Sequence, residues 1–231
     1  MSDHSVARGL RARAVLLDMD GVLLDTSAFF ASIWTDWARE RFLDPATVLP
    51  KASGHRTADV LRDVAPHLDL NAETELLDSM VLERIHRVQP VPGAAALLAR
   101  LDRDEVPWAV VSSGSRWFAT ECFRQAKLPF PRVALFAEDV KNGKPAPEGY
   151  LAAARLLGMP PSQCVVLEDA PPGIAAARAA GCLVIALATT SPPDLLKDAS
   201  CCLLSLVAAA DLLESVVRGP ATHNRSLSHG E

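Results

Sequence analysis

Two aspartates one residue apart, Asp18 and Asp20, stand between the apolar run Ala14-Val15-Leu16-Leu17 and Gly21. A short, wholly apolar run bounded by charge reads as a strand buried on both faces, which places the acids at its carboxyl end. Side chains alternate along a strand, so both acids share a face if it continues, while Gly21 signals a bend. Two further buried runs end in polar clusters: Trp108-Ala109-Val110-Val111 leads into Ser112-Ser113-Gly114-Ser115, and Cys164-Val165-Val166-Leu167 into Glu168-Asp169. Open α/β sheets bind ligands at the carboxyl ends of their strands, so the three clusters share one crevice if the strands are neighbours. Carboxylates packed this closely raise one another's pKa unless a hard cation lies between them, and Mg²⁺ suits such a set. Ser112 offers a hydroxyl, and Ser113 and Gly114 offer backbone N–H groups at a strand-to-helix turn, a cradle for an anion. Lys144, between Gly143 and Pro145, adds a cation. The combination points to metal-assisted phosphoryl transfer. No Ser-His or Cys-His pairing suggests itself, which leaves a strand-end carboxylate as the nucleophile.

These residues need a scaffold. From Gly93 onward helical and strand patterns alternate, predicting an α/β fold with a parallel sheet: strands at 108–111, 133–136, 164–167, 183–187 and 201–204, and helices at 94–101, 117–126, 148–157, 171–180 and 208–217. Between the first strand and residue 92 the pattern is helical throughout. Phe29, Phe30, Ile33, Trp34, Trp37 and Phe42 recur at helical spacing over 27–43, capped by Thr26 or Ser27, and Pro50, Pro66, Pro90 and Pro92 punctuate the stretch. A run of helices lodged between two strands predicts an inserted all-α subdomain, hinged near Thr26 and at Gln89-Pro90-Val91-Pro92. Trp34, Trp37 and Trp117 are read as packing residues. The resulting division is a core of 13–26 and 92–218, a helical cap of 27–91, and mobile tails at 1–12 and 219–231.

Length and composition narrow the function classes. A chain of 231 residues can bury a sizeable core. A formal net charge of −5 without a Lys/Arg block argues against a nucleic-acid binder. No apolar run approaches the ~20 residues of a membrane span and the N-terminus has no secretory h-region, so a cytoplasmic location is expected. The five cysteines form no C-x-x-C pair and are read as buried reduced thiols.

Four stretches in order, Asp18-Met19-Asp20-Gly21-Val22-Leu23-Leu24-Asp25-Thr26, Val110-Val111-Ser112-Ser113-Gly114-Ser115, Gly143-Lys144-Pro145-Ala146-Pro147-Glu148-Gly149-Tyr150 and Val165-Val166-Leu167-Glu168-Asp169-Ala170-Pro171-Pro172-Gly173-Ile174, resemble the motifs of haloacid dehalogenase superfamily phosphatases with an inserted helical cap of type C1. The resemblance spans about residues 14 to 190. It implies a Rossmann-like three-layer α/β/α core, a parallel sheet and an all-α cap. It further implies Asp18 as a nucleophile that forms an aspartyl-phosphate, and Asp20 as the acid and then the base. Mg²⁺ would be held by Asp18, the carbonyl of Asp20 and Asp169, with Glu168 helping directly or through water. Ser112, Ser113, Gly114 and Lys144 would hold the phosphoryl group. Met19 departs from the usual aromatic or leucine, and its side chain is expected in the core.

Within the superfamily the chain is most similar to the sugar- and polyol-phosphate phosphatases of the glycerol-phosphate and deoxyglucose-phosphate branch. There the segment Gly54-His55-Arg56-Thr57-Ala58-Asp59 resembles a substrate-specificity loop, which implies that Arg56 reaches the substrate with His55 beside it. The expected partner is a small phosphate ester, with no nucleic acid and no membrane, for a monomer or weak homodimer. Two rivals remain. A phosphomutase of the β-phosphoglucomutase type would return a second phosphate to Asp18, and a non-catalytic phosphometabolite-binding regulator would not need all four acids. Singly, the motifs also have plainer readings: Ser112 as a helix cap, Lys144 as a solvated cation, and Glu168-Asp169 as charge favoured by a helix N-terminus.

Overall fold

The first strand, β1 (Ala14–Leu17), lies in the middle of a six-stranded parallel sheet. A computed structural model describes residues 11–218 of the chain. After β1 come a two-residue strand β2 (Leu24–Asp25) and four helices, α1 (Ser27–Glu40), α2 (Pro45–Ala52), α3 (Thr57–Val64) and α4 (Leu70–Arg84). A second short strand β3 (Gln89–Pro90) follows, and then the alternating part: α5 (Ala94–Arg103), β4 (Trp108–Val111), α6 (Arg116–Ala126), β5 (Ala134–Leu135), α7 (Glu148–Leu156), β6 (Cys164–Glu168), α8 (Pro171–Ala179), β7 (Leu183–Leu187), β8 (Cys201–Leu203) and α9 (Leu206–Arg218). The order across the sheet is β5-β4-β1-β6-β7-β8. The strand order therefore reverses at β1, and the crevice at its carboxyl end, between β4 and β6, is the place where such sheets bind ligands.

The strands are apolar on both sides because helices cover both faces. Val15 and Leu17 face one layer with Leu97, Leu98, Phe118, Phe123, Leu206 and Leu213 from α5, α6 and α9. Ala14 and Leu16 face the other with Tyr150, Ala153, Ala154, Ile174 and Ala177 from α7 and α8. The expected three-layer α/β/α arrangement is what the chain adopts. Met19 is fully buried, as its position after β1 requires.

The helices α1–α4 leave and rejoin the sheet through a ribbon the sequence reading did not foresee. Leu24 pairs antiparallel with Pro90 and Asp25 with Gln89, at the two segments read as hinges. Two-residue strands are too short to carry a period. Pro50, read as a break, lies inside α2, six residues into an eight-residue helix, where its ring costs one hydrogen bond near the end. Trp117, expected in the core, is instead 40% exposed. The buried stripe of α6 is Phe118, Ala119, Cys122 and Phe123, and Trp117 sits one residue outside it. Among the described residues no disulfide joins the cysteines: Cys122 and Cys164 are buried and the other three half-buried. Of the expected tails, residues 1–10 and 219–231 lie outside the described residues, whereas Ala12 is buried and donates its N–H to the carbonyl of Val216.

Candidate active site

All three strand-end clusters meet at the carboxyl edge of β1. Asp18 continues β1 by donating its N–H to the carbonyl of Leu167 on β6 (3.0 Å), and its side chain is buried against the ammonium of Lys144. After Asp20 the backbone turns sharply: the N–H groups of Leu23 and Leu24 both donate to the carbonyl of Met19, and that of Gly21 donates to Leu24. Gly21 has φ +74°, and a Cβ there would fall 2.0 Å from Asp169 Oδ2, so both conformation and space require glycine. The bend aims the Asp20 carboxylate back over the strand end. Thr26 Oγ1 donates to Asp20 Oδ1 at 2.7 Å, and Ser112 Oγ lies 3.4 Å from Oδ2. Thr26 stands at the start of α1, as expected of a cap, yet it makes no side-chain cap bond because its hydroxyl is committed to Asp20.

Glu168 organises the other side. Its Oε1 accepts from Lys144 Nζ (2.6 Å) and from the Tyr150 hydroxyl (2.9 Å), while Oε2 accepts from the N–H groups of Asp169 (2.9 Å) and Ala170 (3.1 Å). A carboxylate has about four acceptor positions, and here four donors fill them. Gly173 on α8 makes the fit possible, since a Cβ there would stand 1.6 Å from Glu168 Oε1. Asp169 accepts a hydrogen bond from Thr190 Oγ1, which follows the end of β7. One oxygen from each of Asp18, Glu168 and Asp169 falls within 4.8 Å of the others.

The turn after β4 lies beside the acids. The Gly114 N–H donates to Ser112 Oγ (3.0 Å), and α6 is capped by Ser115 Oγ, which accepts from the Phe118 N–H (3.2 Å). The cap is therefore Ser115, and Ser112 keeps its hydroxyl on the site side, next to Asp20. Ser113 faces the helical insertion instead, donating its hydroxyl to the carbonyl of Gly54 (2.9 Å).

The charge balance is one-sided. Four carboxylates, Asp18, Asp20, Glu168 and Asp169, surround one buried cation, Lys144. Burial pushes the Asp18 carboxyl well above the usual range, against the pull of Lys144. Burial also raises Asp20, opposed by the Thr26 hydrogen bond, and drives Asp169 up to about 8 with the help of neighbouring Glu168. Burial alone would depress Lys144, but Asp18 and Glu168 hold its pKa well above the ordinary lysine value. Surplus negative charge on clustered, largely buried hard oxygens is the donor chemistry of a divalent cation such as Mg²⁺, and the residues fit one. Burial pushes the thiols of Cys122, Cys164, Cys182 and Cys202 upward, which removes them as rival nucleophiles at neutral pH.

The acids open into a cavity of about 490 Å³ that the helical insertion helps to line. Asp18, Asp20, Glu168 and Asp169 line its floor; Thr26, Phe30, Trp34, Leu49, Ala52, His55 and Thr57 line the rest with Ser113, Gly114 and Thr190. His55 therefore borders the space. Arg56, expected to reach the substrate, is not among the residues that line this cavity. It chelates Asp59 (Nε–Oδ2 2.6 Å, Nη2–Oδ1 3.1 Å) and donates from Nη1 to the carbonyls of Val140 and Lys141 (3.2 Å each). Its side chain lines a small pocket next to Ser112 and Lys144, packed so closely on Gly143 that a Cβ there would fall 2.6 Å from Arg56 Nε.

The sequence reading missed Thr26, Tyr150 and Thr190 as members of the site, and it assigned Trp34 to packing. Thr190 had a signal, since Thr189-Thr190 follows the buried run 183–187 at the same carboxyl edge. Tyr150, the single tyrosine, follows Lys144 by six residues, and only the fold brings the two together.

Residues 12–181 match the haloacid dehalogenase-like hydrolase family. Hexitol phosphatase A of Escherichia coli is 38% identical over 200 residues, covering 85% of this chain and 93% of that protein. Glycerol-1-phosphate phosphohydrolase 1 of Saccharomyces cerevisiae is 36% identical over 203 residues, covering 83% and 81% respectively. A hydrolase structure from Pseudomonas syringae superposes with a TM-score of 0.80 over 88% of this chain and 99% of that one at 22% identity, a likeness of fold. The six-stranded order, the acids at the reversal point and these matches agree: the chain belongs to the haloacid dehalogenase-like hydrolase family.

Proposed function

We propose that this chain is a Mg²⁺-dependent phosphomonoesterase that hydrolyses a small phosphorylated sugar, polyol or related metabolite through an aspartyl-phosphate. The observation that carries the reading is the convergence of Asp18, Asp20, Lys144, Glu168 and Asp169 at the one edge of the sheet where the strand order reverses. The likeness to hexitol and glycerol-phosphate phosphatases supports the substrate class.

Asp18 attacks the phosphorus in line; a bond forms from its carboxylate oxygen to phosphorus as the ester P–O bond breaks. Asp20, held by Thr26 and kept protonatable by burial, gives its proton to the departing alcohol oxygen. The same carboxylate then takes a proton from water as that water cleaves the acyl-phosphate, releasing inorganic phosphate and restoring Asp18. Lys144, Ser112 and the N–H groups of Ser113 and Gly114 neutralise and orient the phosphoryl oxygens. Mg²⁺, held by Asp18, the Asp20 carbonyl and Asp169, would supply charge neutralisation between the nucleophile and the phosphoryl group. Glu168, its four acceptor positions taken, is better suited to fixing Lys144 than to binding the ion. Residues 27–91 act as a cap that excludes bulk water, over a core of 13–26 and 92–218, in a cytoplasmic enzyme.

The mutase alternative is less favoured, because no lysine or arginine is among the residues lining the large cavity to hold a second phosphate. Release of inorganic phosphate from a panel of sugar, polyol and two-carbon phosphates, with Mg²⁺ and with chelator, tests the proposal. Chelator-sensitive release that vanishes in Asp18→Asn supports it; phosphate transfer between substrate positions without release would favour the mutase.

A further inference from the structure

The cavity has two ends of opposite character. Its floor is the acid cluster. Its far wall comes from α1 and α2: Phe30, Ala31 and Trp34, then Leu49 and Ala52. Nothing in the proposed chemistry uses that wall, and a mostly apolar lining with a few polar groups packs the carbon skeleton of an occupant while the polar groups hold its polar atoms.

Trp34 is the informative residue. It is 5% exposed, and Trp37 pins its ring edge-on with centroids 5.3 Å apart at 82°. Buried tryptophans normally give their N–H a partner. Trp37 donates to Glu73 (2.7 Å) and Trp108 to Asp102 (2.8 Å), whereas the Trp34 N–H makes no hydrogen bond among the described residues. No side-chain nitrogen or oxygen sealed from solvent is left without a partner among them, so this N–H reaches open space, and the space Trp34 borders is the cavity. Ser27, Ser53, His55 and Thr57 line the same cavity, and none of the lining side chains is a lysine or arginine.

We propose that Trp34, with Phe30 and Leu49, is the leaving-group subsite, and that it selects a neutral polyhydroxy alcohol of six-carbon size carrying a single phosphate. The proposal rests on the phosphomonoesterase reading and sharpens its substrate class. One C–H face of the alcohol lies on the apolar wall while one of its hydroxyls accepts from Trp34 Nε1. A three-carbon alcohol fills a minor share of about 490 Å³ and leaves the wall and the N–H unmatched. A second phosphate would be buried there without a cation.

The test compares wild type, Trp34→Phe and Trp34→Ala on glucitol 6-phosphate, glycerol 1-phosphate, a hexose bisphosphate and acetyl phosphate, whose leaving group is too small to reach the wall. Wild type should prefer glucitol 6-phosphate. Trp34→Phe keeps an aromatic ring and loses the donor; KM for glucitol 6-phosphate should rise about fivefold to tenfold with kcat nearly unchanged. Trp34→Ala should lower kcat/KM for that substrate on the order of 100-fold, while acetyl phosphate turnover stays within about threefold in both variants. Equal losses on acetyl phosphate and glucitol 6-phosphate in Trp34→Phe would make Trp34 a structural residue and overturn the subsite. So would an unchanged KM in Trp34→Phe, or a wild-type preference for glycerol 1-phosphate or the bisphosphate. If Trp34→Ala does not fold, Trp34→Phe decides alone. Wild type that releases phosphate from none of the four, acetyl phosphate included, would instead reject the phosphomonoesterase reading underneath.

Discussion

Replacing Gly173 by alanine adds one methyl group, and the structure says where it would go. The new Cβ falls 1.6 Å from Glu168 Oε1, 2.0 Å from Cδ and 2.5 Å from Oε2, all far inside contact distance. The carboxylate has nowhere to retreat without giving up Lys144, Tyr150 and two backbone N–H groups. Breaking a buried ion pair costs about 3–5 kcal/mol. Alanine in a helix returns up to ~1 kcal/mol, leaving a net loss of about 2–4 kcal/mol. Urea unfolding reads it as a lower midpoint at constant slope. Activity should fall at least about 100-fold, since a misplaced Lys144 no longer meets the phosphoryl group. The decisive arm is a cycle with Glu168→Ala, which is itself destabilising but removes the atoms the methyl would strike. In that background Gly173→Ala should change stability by less than about 1 kcal/mol. A Gly173→Ala variant as stable and active as wild type, or one equally costly in both backgrounds, would refute the reasoning.

Three other outcomes follow from the same contacts. Arg56→Ala should weaken turnover of large and small substrates alike, because the guanidinium braces the cap loop against the carbonyls of Val140 and Lys141; selective loss on one sugar phosphate would show direct contact instead. Mg²⁺ should raise the melting temperature of the wild type and chelator should reverse the rise, whereas Asp169→Asn should show little response; an equal rise in the variant would move the ion elsewhere. Within the helical insertion, burial opposes the charge on Glu73, but hydrogen bonds from Arg41 and Trp37 outweigh it and lower its pKa. A lowered folded-state pKa gives stability that is present above the ordinary glutamate value and is lost as pH falls through the folded one. Glu73→Gln should remove that acid-side part of the stability curve, and acid titration of unfolding that matches wild type would contradict it.

How much the sequence revealed depended on whether a residue's neighbours were local. The strands at 14–17, 108–111 and 164–167 were legible because helices cover both faces and force every position to be apolar. Their polar ends marked the site before any fold was known. The ribbon of 24–25 with 89–90 was not legible, since its pairing spans more than sixty residues of chain and two positions carry no period. Trp34 and Trp37 lie three residues apart on one helix and look alike in sequence. Only the tertiary structure separates them, giving Trp37 a carboxylate partner and Trp34 a cavity. Glu168 and Asp169 read as a matched pair of acids. In the fold one is ringed by four donors, and the other faces the open site with Thr190 as its partner. For Arg56, type and position suggested a ligand contact, and the partners its donors have in the fold, Asp59 one helical turn on and two core carbonyls, were not legible.

The central claim is that Asp18 becomes phosphorylated during turnover. Mixing the Mg²⁺-loaded enzyme with a good substrate, quenching in acid within a turnover and mapping peptides by mass would locate the phosphoryl group. The account predicts one added phosphoryl group, labile to base, on Asp18 and none in Asp18→Asn. Phosphate release with no modified protein at any quench time, or a phosphoryl group on another residue, would contradict it.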